Sequence, residues 1–182
     1  MPNYPVRTIA SAPEGSKSAL EQLQIAFGVV PNIVGAIANS PKLINSLVGL
    51  FGQVHSPGLT EAENQIVLLT DAVTNSSTYA VAFHTALALQ QGISSEETTA
   101  IRERRLPTDK RFAALSALAK ALIEKRGHLT EPELDSFDAA GFTKEQVLEV
   151  IAIVAASAIT NYTGTIANPP LEDAFRQHAW RG

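Results

Sequence analysis

Tyr79-Ala80-Val81-Ala82-Phe83-His84-Thr85-Ala86-Leu87-Ala88-Leu89 is apolar at nine of its eleven positions, His84 and Thr85 being the exceptions. No strict alternation of apolar and polar residues runs through it, and no proline occurs from 58 to 106. It reads as a helix apolar on every side, and such a helix is buried. A second stretch, Val147 to Ile159, is interrupted only by Glu149 and Ser157. Polar residues inside buried helices need partners, so chemistry is to be sought at them.

Outward from these two stretches, helix-start signals recur. Ser18–Glu21, Thr60–Glu63, Ser94–Glu97, Thr130–Glu133 and Thr143–Gln146 all have capping-box spacing, in which two side chains satisfy orphan backbone donors reciprocally. Ser40-Pro41 adds an N-cap followed by proline at the first helical position. The expected helices are 18–28, 31–39, 41–55, 60–75, 78–91, 94–104, 109–126, 131–140 and 143–161, and the fold class is all-α. Glycines 28, 58, 92, 127 and 141 mark stops or turns. The few residues between 75 and 78 force the helices on either side into an antiparallel hairpin. The most polar connector, residues 104–109, is the expected boundary between two packed halves of one domain spanning 1–182. A faint internal similarity links 59–75 with 142–161, since both begin with a capped helix and end in Thr-Asn.

The chain has 182 residues and 19.4 kDa, with 45% apolar and 18% charged residues. A chain of this length buries roughly 70% of its unfolded surface and folds without a metal or disulfide. Fourteen basic against eighteen acidic residues give a charge of -4, and no basic tract exceeds Arg104-Arg105. No nucleic-acid partner is expected. Polar residues break every apolar run before about 18 positions, so no membrane partner is expected either. The N-terminus lacks the basic-then-apolar layout of a signal peptide, and the expected location is cytoplasmic. The cysteine count is zero, which removes disulfides, thiolate metal sites and thiol redox chemistry. His55, His84, His128 and His178 show no metal-ligand spacing, and phosphate-cradling glycine loops are absent. No metal and no cofactor are expected.

His84 is the first candidate for chemistry. Ser77, Ala80 and His84 follow i, i+3, i+7 and share a helix face. Gln65, twelve residues before Ser77, returns to the same region in an antiparallel hairpin. A buried imidazole without an opposite charge should have its pKa below about 6.5 and stay neutral, a proton acceptor. The expectation is one ring nitrogen bonded within the protein and the other facing a small cavity shared with Ser77 and Gln65. The alternative is a core histidine bonded to a carbonyl or to Gln65. Tyr162 is a candidate to point into a site or to anchor the fold. Asp71, inside an apolar helix, requires a salt bridge or a capping role.

Asn75-Ser76-Ser77-Thr78-Tyr79-Ala80-Val81-Ala82-Phe83-His84-Thr85 resembles the core motif of the alkylhydroperoxidase D-like, or carboxymuconolactone decarboxylase, family. That motif runs N-x-C-x-Y-C-x-x-x-H-T and follows a helix that opens Leu-Thr and carries a glutamate. Leu59-Thr60 through Val67 is similar to that opening. Val30-Pro31-Asn32 with Ser40-Pro41, and the stretches 141–143, 149–150, 161–163 and 170–172, resemble the longer, peroxidase-related branch, so the likeness covers about residues 25–175. The resemblance implies an AhpD-like helical bundle and a homo-oligomer, as a dimer, trimer or hexamer. Ile33, Ile37, Leu43, Leu47 and Leu50 are the candidate interface.

The sequence departs from the family where the family does its chemistry. Ser77 and Ala80 occupy the two cysteine positions, Gln65 the glutamate position (Glu63 being two residues away), and Thr163-Gly164-Thr165 follows Tyr162 where the longer branch reads Asn-Tyr-x-Asn-His. A serine hydroxyl is a poor nucleophile toward peroxide and cannot form a disulfide, so thiol peroxidase activity is excluded. Three readings stay open. In the first, cofactor-free acid/base chemistry acts on a small carboxylate or lactone, as in a decarboxylase-type lyase. His84 moves the proton, Ser77 and Gln65 hold the carbonyl or carboxylate, and Tyr79, Glu63 and Tyr162 border the small-molecule ligand. The second is a noncatalytic binding or structural relative, and the third a thiol-independent oxidoreductase. An acid/base site requires His84 and Ser77 on an open cavity; a noncatalytic relative would have it filled by Phe83 or Leu87.

Overall fold

The computed structural model describes residues 4–55 and 57–182, and among these residues no strand occurs. The helices are α1 (Glu14–Phe27), α2 (Asn32–Ile37), α3 (Pro41–Val54), α4 (Glu61–Thr74), α5 (Thr78–Gln90), α6 (Ser95–Arg102), α7 (Lys110–Glu124), α8 (Glu131–Ala139) and α9 (Lys144–Ala167). A 3₁₀ turn at Asp173–His178 follows. The protein is all-α, as expected.

The α4–α5 hairpin is the centre of the molecule. Every residue of α4 from Glu63 to Val73 is buried, because α5, α7 and α9 pack around it. Ser76, at φ 55°, makes the left-handed turn, and the Ser77 amide donates to the Ala72 carbonyl at 2.9 Å, closing the end of α4 in the manner of a Schellman motif. The main core runs from Val54 through α4, α5 and α7 to Ala156. It therefore crosses the 104–109 connector, and α7 on its far side packs back on α4. A second core joins α1, α2 and α3 around Leu20, Ile37, Ile44 and Leu47.

Thr60, Thr130 and Thr143 head complete capping boxes, and Ser40 accepts from the Leu43 amide ahead of Pro41. Ser94 caps α6 without reciprocation. Its Glu97 instead accepts from the Thr108 and Asp109 amides and the Thr108 hydroxyl, tying the connector to α6. Two expectations are corrected. Ser18 lies inside α1, which starts at Glu14 after Pro13. Helix α9 runs past 161 to Ala167, ending at Asn168 with φ 43°. Gly164 does not break it; the residue sits on the buried face, next to Ser77 and Ile33. Asn161 is thus mid-helix while Asn75 caps α4, so the internal similarity does not extend to the helix ends.

The chain before α1 lies on α2, where the Arg7 amide donates to the Gly35 carbonyl at 3.0 Å. A Cβ at Gly35 would meet the Arg7 carbonyl at 2.7 Å, so this approach requires glycine. Ile33, Ile37 and Leu47, named above for an interface, are buried within the chain instead. Exposed apolar residues gather on α9, at Leu148, Ile151, Tyr162 and Ile166. By length and composition alone α9 suffices to cross a membrane, which the run-length reading missed. Its charges lie at one end, at Lys144, Glu145 and Glu149. In the fold, its inner face packs on α2, α3, α4, α5 and α7.

Candidate functional site

Across the hairpin, His84 on α5 meets Gln65 on α4, with Nδ1 to Oε1 at 3.1 Å. Both residues are buried, at 5% and 4% exposure. An amide oxygen only accepts, so Nδ1 carries the proton and Nε2 holds the free lone pair. Burial, and secondarily the positive charge that His55 can carry, push the His84 pKa down to about 3. The ring is therefore neutral at physiological pH. His55 itself stacks on Phe51 and bonds Glu61 at 2.9 Å. The edge of His84 abuts Phe83, whose ring also meets Phe27, Tyr79 and Phe175.

A cavity of about 50 Å³ opens beside His84 and Ala80. Leu23 of α1, Ile33 of α2, Phe51 of α3 and Thr160 of α9 form other parts of its wall. The lining is apolar apart from the imidazole and the Thr160 hydroxyl, and that hydroxyl donates to the Ser157 carbonyl at 2.9 Å. Such a volume holds a water molecule or two but no larger ligand unless Phe27 or Phe83 moves.

Not every residue named from the sequence gathers here. Ser77 is buried at 2% exposure, but it does not line the cavity. Seven residues of helix rise by about 10 Å, so sharing a face with His84 does not bring Ser77 to the same small space. Its Oγ has no hydrogen-bond partner and faces Gly164 of α9. Gln65 reaches the imidazole but is not itself on the cavity wall. Tyr79 contributes its ring to the wall, while its hydroxyl donates to Glu172 at 2.8 Å and accepts from the Ile33 amide at 3.4 Å. Burial and then Glu172 raise the Tyr79 pKa, so the hydroxyl stays protonated.

Glu63 faces the opposite side of the hairpin. It completes the Thr60 cap and accepts from Arg111 at 2.8 and 3.0 Å. Arg111 in turn lies 3.9 Å from the Phe142 ring centroid. Burial raises the Glu63 pKa, but the bonds from Thr60 and Arg111 outweigh it and lower the group overall. Tyr162 is 61% exposed on the outer face of α9. Asp71, fully buried, has neither a salt bridge nor a capping role; it accepts from the side-chain amides of Asn75 at 2.7 Å and Asn161 at 3.3 Å. Burial raises its pKa to about 7, with Ser157 and Asn75 opposing.

The sequence reading missed the walls contributed by α1, α2 and α3, because apolar residues on amphipathic helices carry no local mark of which cavity they will line. It also missed Arg102, which donates to the Thr85 hydroxyl at 2.9 Å and to the His178 carbonyl at 2.8 Å. Trp180 returns a bond to the Arg102 carbonyl at 3.1 Å. Together they fasten the C-terminal segment over α5. Among the described residues no group of three or more His, Asp or Glu is placed to hold a metal.

Three solved structures share this architecture. An AhpD-core, uncharacterized peroxidase-related protein from Ralstonia eutropha JMP134 superposes with TM-score 0.82 at 20% identity, covering 95% of this chain and 93% of its own. A peroxidase-related protein from Silicibacter sp. TM1040 gives 0.78 at 16% identity, with 96% and 94% covered. The debrominase Bmp8 gives 0.75 at 17% identity, with 91% and 90% covered. Among curated proteins, none matches the sequence. At these identities the likeness is one of fold. The sequence itself matches the carboxymuconolactone decarboxylase family over residues 41–124, the segment from α3 through the hairpin to α7. With a cysteine-free motif at its centre, this segment is similar to the carboxymuconolactone decarboxylase family, and the chain has the AhpD-like all-helical fold.

Proposed function

We propose that the protein binds a small, neutral, largely apolar molecule beside Ala80 and acts on it by cofactor-free acid/base chemistry, with His84 Nε2 as the proton acceptor. The observation that carries this reading is the neutral imidazole held by Gln65 at the wall of an otherwise apolar cavity. Of the two substrate classes the family suggests, a lactone fits and a carboxylate does not. The cavity supplies no cation to pair with an anion, and an unpaired charge there would meet a large desolvation cost. A lactone can enter uncharged and present an acidic C–H next to its carbonyl. Bmp8, one of the fold neighbours, has been crystallised as a variant with 2,3,4-tribromopyrrole, another small neutral molecule.

In this reading Gln65 is a positioning residue. By accepting from Nδ1–H it fixes the tautomer that leaves the Nε2 lone pair unengaged. Phe83 is neither absent from the cavity nor filling it, and its movement would admit the ligand. Should a second copy of the chain complete the assembly, the exposed apolar stripe of α9 is the surface for it.

The test is deuterium exchange. A small lactone incubated in D2O with the protein should gain deuterium at the carbon next to its carbonyl. The matching ring-opened hydroxy acid should not. His84→Gln should abolish exchange while leaving lactone binding, followed by thermal shift, within about threefold. Binding without exchange in the wild type would favour the noncatalytic reading. Tight binding of the hydroxy acid would remove the argument for a neutral ligand.

A further inference from the structure

We propose that a second cavity, between the end of α3 and the start of α9, is a binding site for an organic cation, an ammonium or guanidinium group on a short alkyl chain. Its volume is about 290 Å³, several times that of the space beside His84, and no residue is common to the two walls.

Asn64 is 1% exposed and lines this second cavity. Its Nδ2 donates to the Val54 carbonyl at 3.1 Å, which fixes the amide so that Oδ1 is the free atom. That Oδ1 is buried and has no hydrogen-bond partner. On the facing helix, Oε2 of Glu149 is likewise buried and unpartnered. Both orphan atoms are acceptors, so an occupant that satisfies them must donate. Glu145 lies four residues before Glu149, on the same face of α9 and on the same cavity wall. No ion pair among the described residues engages either carboxylate. The occupant should therefore carry positive charge.

The backbone makes room for this arrangement. A Cβ at Gly58 would lie 2.7 Å from each Glu149 carboxylate oxygen, so glycine there lets the carboxylate sit where it does. Apart from Gln53, the rest of the wall is apolar, including Val54, Leu59, Leu148 and Ile153. That composition suits an alkyl chain and not a hydrated metal. Among the described residues no metal-ligating cluster of three carboxylates or histidines exists, and a hard divalent ion requires six or more oxygens.

Isothermal titration of the intact protein with butylammonium and with butylguanidinium tests the proposal, with n-butanol, butyrate, Mg²⁺ and Ca²⁺ as controls. The two organic cations should bind and the controls should not. Loss of a charge-assisted hydrogen bond predicts that Glu149→Gln weakens binding about tenfold or more. Gly58→Ala, which keeps the charge but displaces it, should do likewise. Glu145→Gln, at the exposed rim, should cost about twofold to fivefold. Where Glu149→Gln fails to fold, Glu149→Asp, which retracts the charge, serves in its place. Equal binding of n-butanol would reduce the site to an apolar hollow, and preference for Mg²⁺ or Ca²⁺ would make it a metal site. No binding at all would mean that water alone fills it. If Glu149→Gln instead dissociates an oligomer in sedimentation, a basic side chain of a second copy is the occupant. Each of these four outcomes overturns the proposal.

Discussion

Two of the buried titratable groups of the α4–α5 hairpin, His84 and Asp71, are treated differently by the protein. His84 and Asp71 are both at 5% exposure or less, and neither has an opposite charge beside it. His84 donates its single bond to Gln65, and its ring borders a cavity. Asp71 is packed against α9, accepting from Asn161 there and from Asn75 at the end of its own helix. Burial disfavours the charged form of each, yet the consequences run in opposite directions along the pH scale. The imidazole stays neutral down to about pH 3, and the carboxyl holds its proton up to about pH 7. A free, neutral base next to open space can do chemistry; a carboxyl enclosed by amides serves the packing.

The largest expected effect separates the two groups by pH. The folded Asp71 pKa of about 7 exceeds its ordinary 3.8, so the unfolded chain binds fewer protons than the native one between these values. Stability should fall as pH rises through that window. Asp71→Asn keeps an acceptor for Asn75 and removes the ionisation. At pH 8 it should be more stable than the wild type by at most about 4 kcal/mol from linkage, and nearly equal to it at pH 4. Urea unfolding at the two pH values measures this. A variant that is less stable at pH 8 would mean that Asp71 remains charged and well solvated by its amides.

His84 carries the opposite sign. Its folded pKa of about 3 lies below the ordinary 6.5, so its share of stability is present above 6.5 and is lost as pH falls toward 3, by up to about 1.4 kcal/mol per pH unit. Gln65→Glu places an anion at the Nδ1–H and should raise the His84 pKa to 6 or above, roughly, as an adjacent opposite charge does. An NMR titration of the ring protons follows it. An unmoved resonance would show that Gln65 is not what sets the tautomer, and the proposed Nε2 base would lose its support.

The smallest effect concerns the frame that holds both groups in register. Thr60→Ala removes the cap of α4 and should cost about 1 kcal/mol, with Glu63 and Arg111 losing part of their alignment. Ser18→Ala, at an identical sequence spacing but inside α1, should stay within about 0.5 kcal/mol. Equal losses in thermal unfolding would contradict the helix start at Glu14.

The spacing of Thr60 and Glu63 was readable because a capping box is local, three residues apart on one chain. Ser18 and Glu21 have the same spacing, yet Pro13 starts α1 a turn earlier and places them mid-helix. The Gln65–His84 contact was readable because the three-residue link Asn75, Ser76 and Ser77 forces an antiparallel pairing. Ser77 was misplaced relative to the cavity because helix phase alone says nothing of axial distance. Glu63, two residues from Gln65, was drawn to Arg111 from a helix 48 residues away, a competition with no trace in the local pattern.

The sequence by itself determined the all-helical class, the hairpin at the centre and the absence of any thiol, since periodicity, capping and composition are properties of neighbouring residues. Tertiary structure alone decided that Ala80 and His84 face a cavity walled by α1, α2 and α3, that Asp71 is enclosed by amides, and that Asn64 and Glu149 converge on a second space. These depend on the packing of helices distant in sequence. Which buried polar atom finds a partner there is settled by distances of a few ångströms that no single segment encodes.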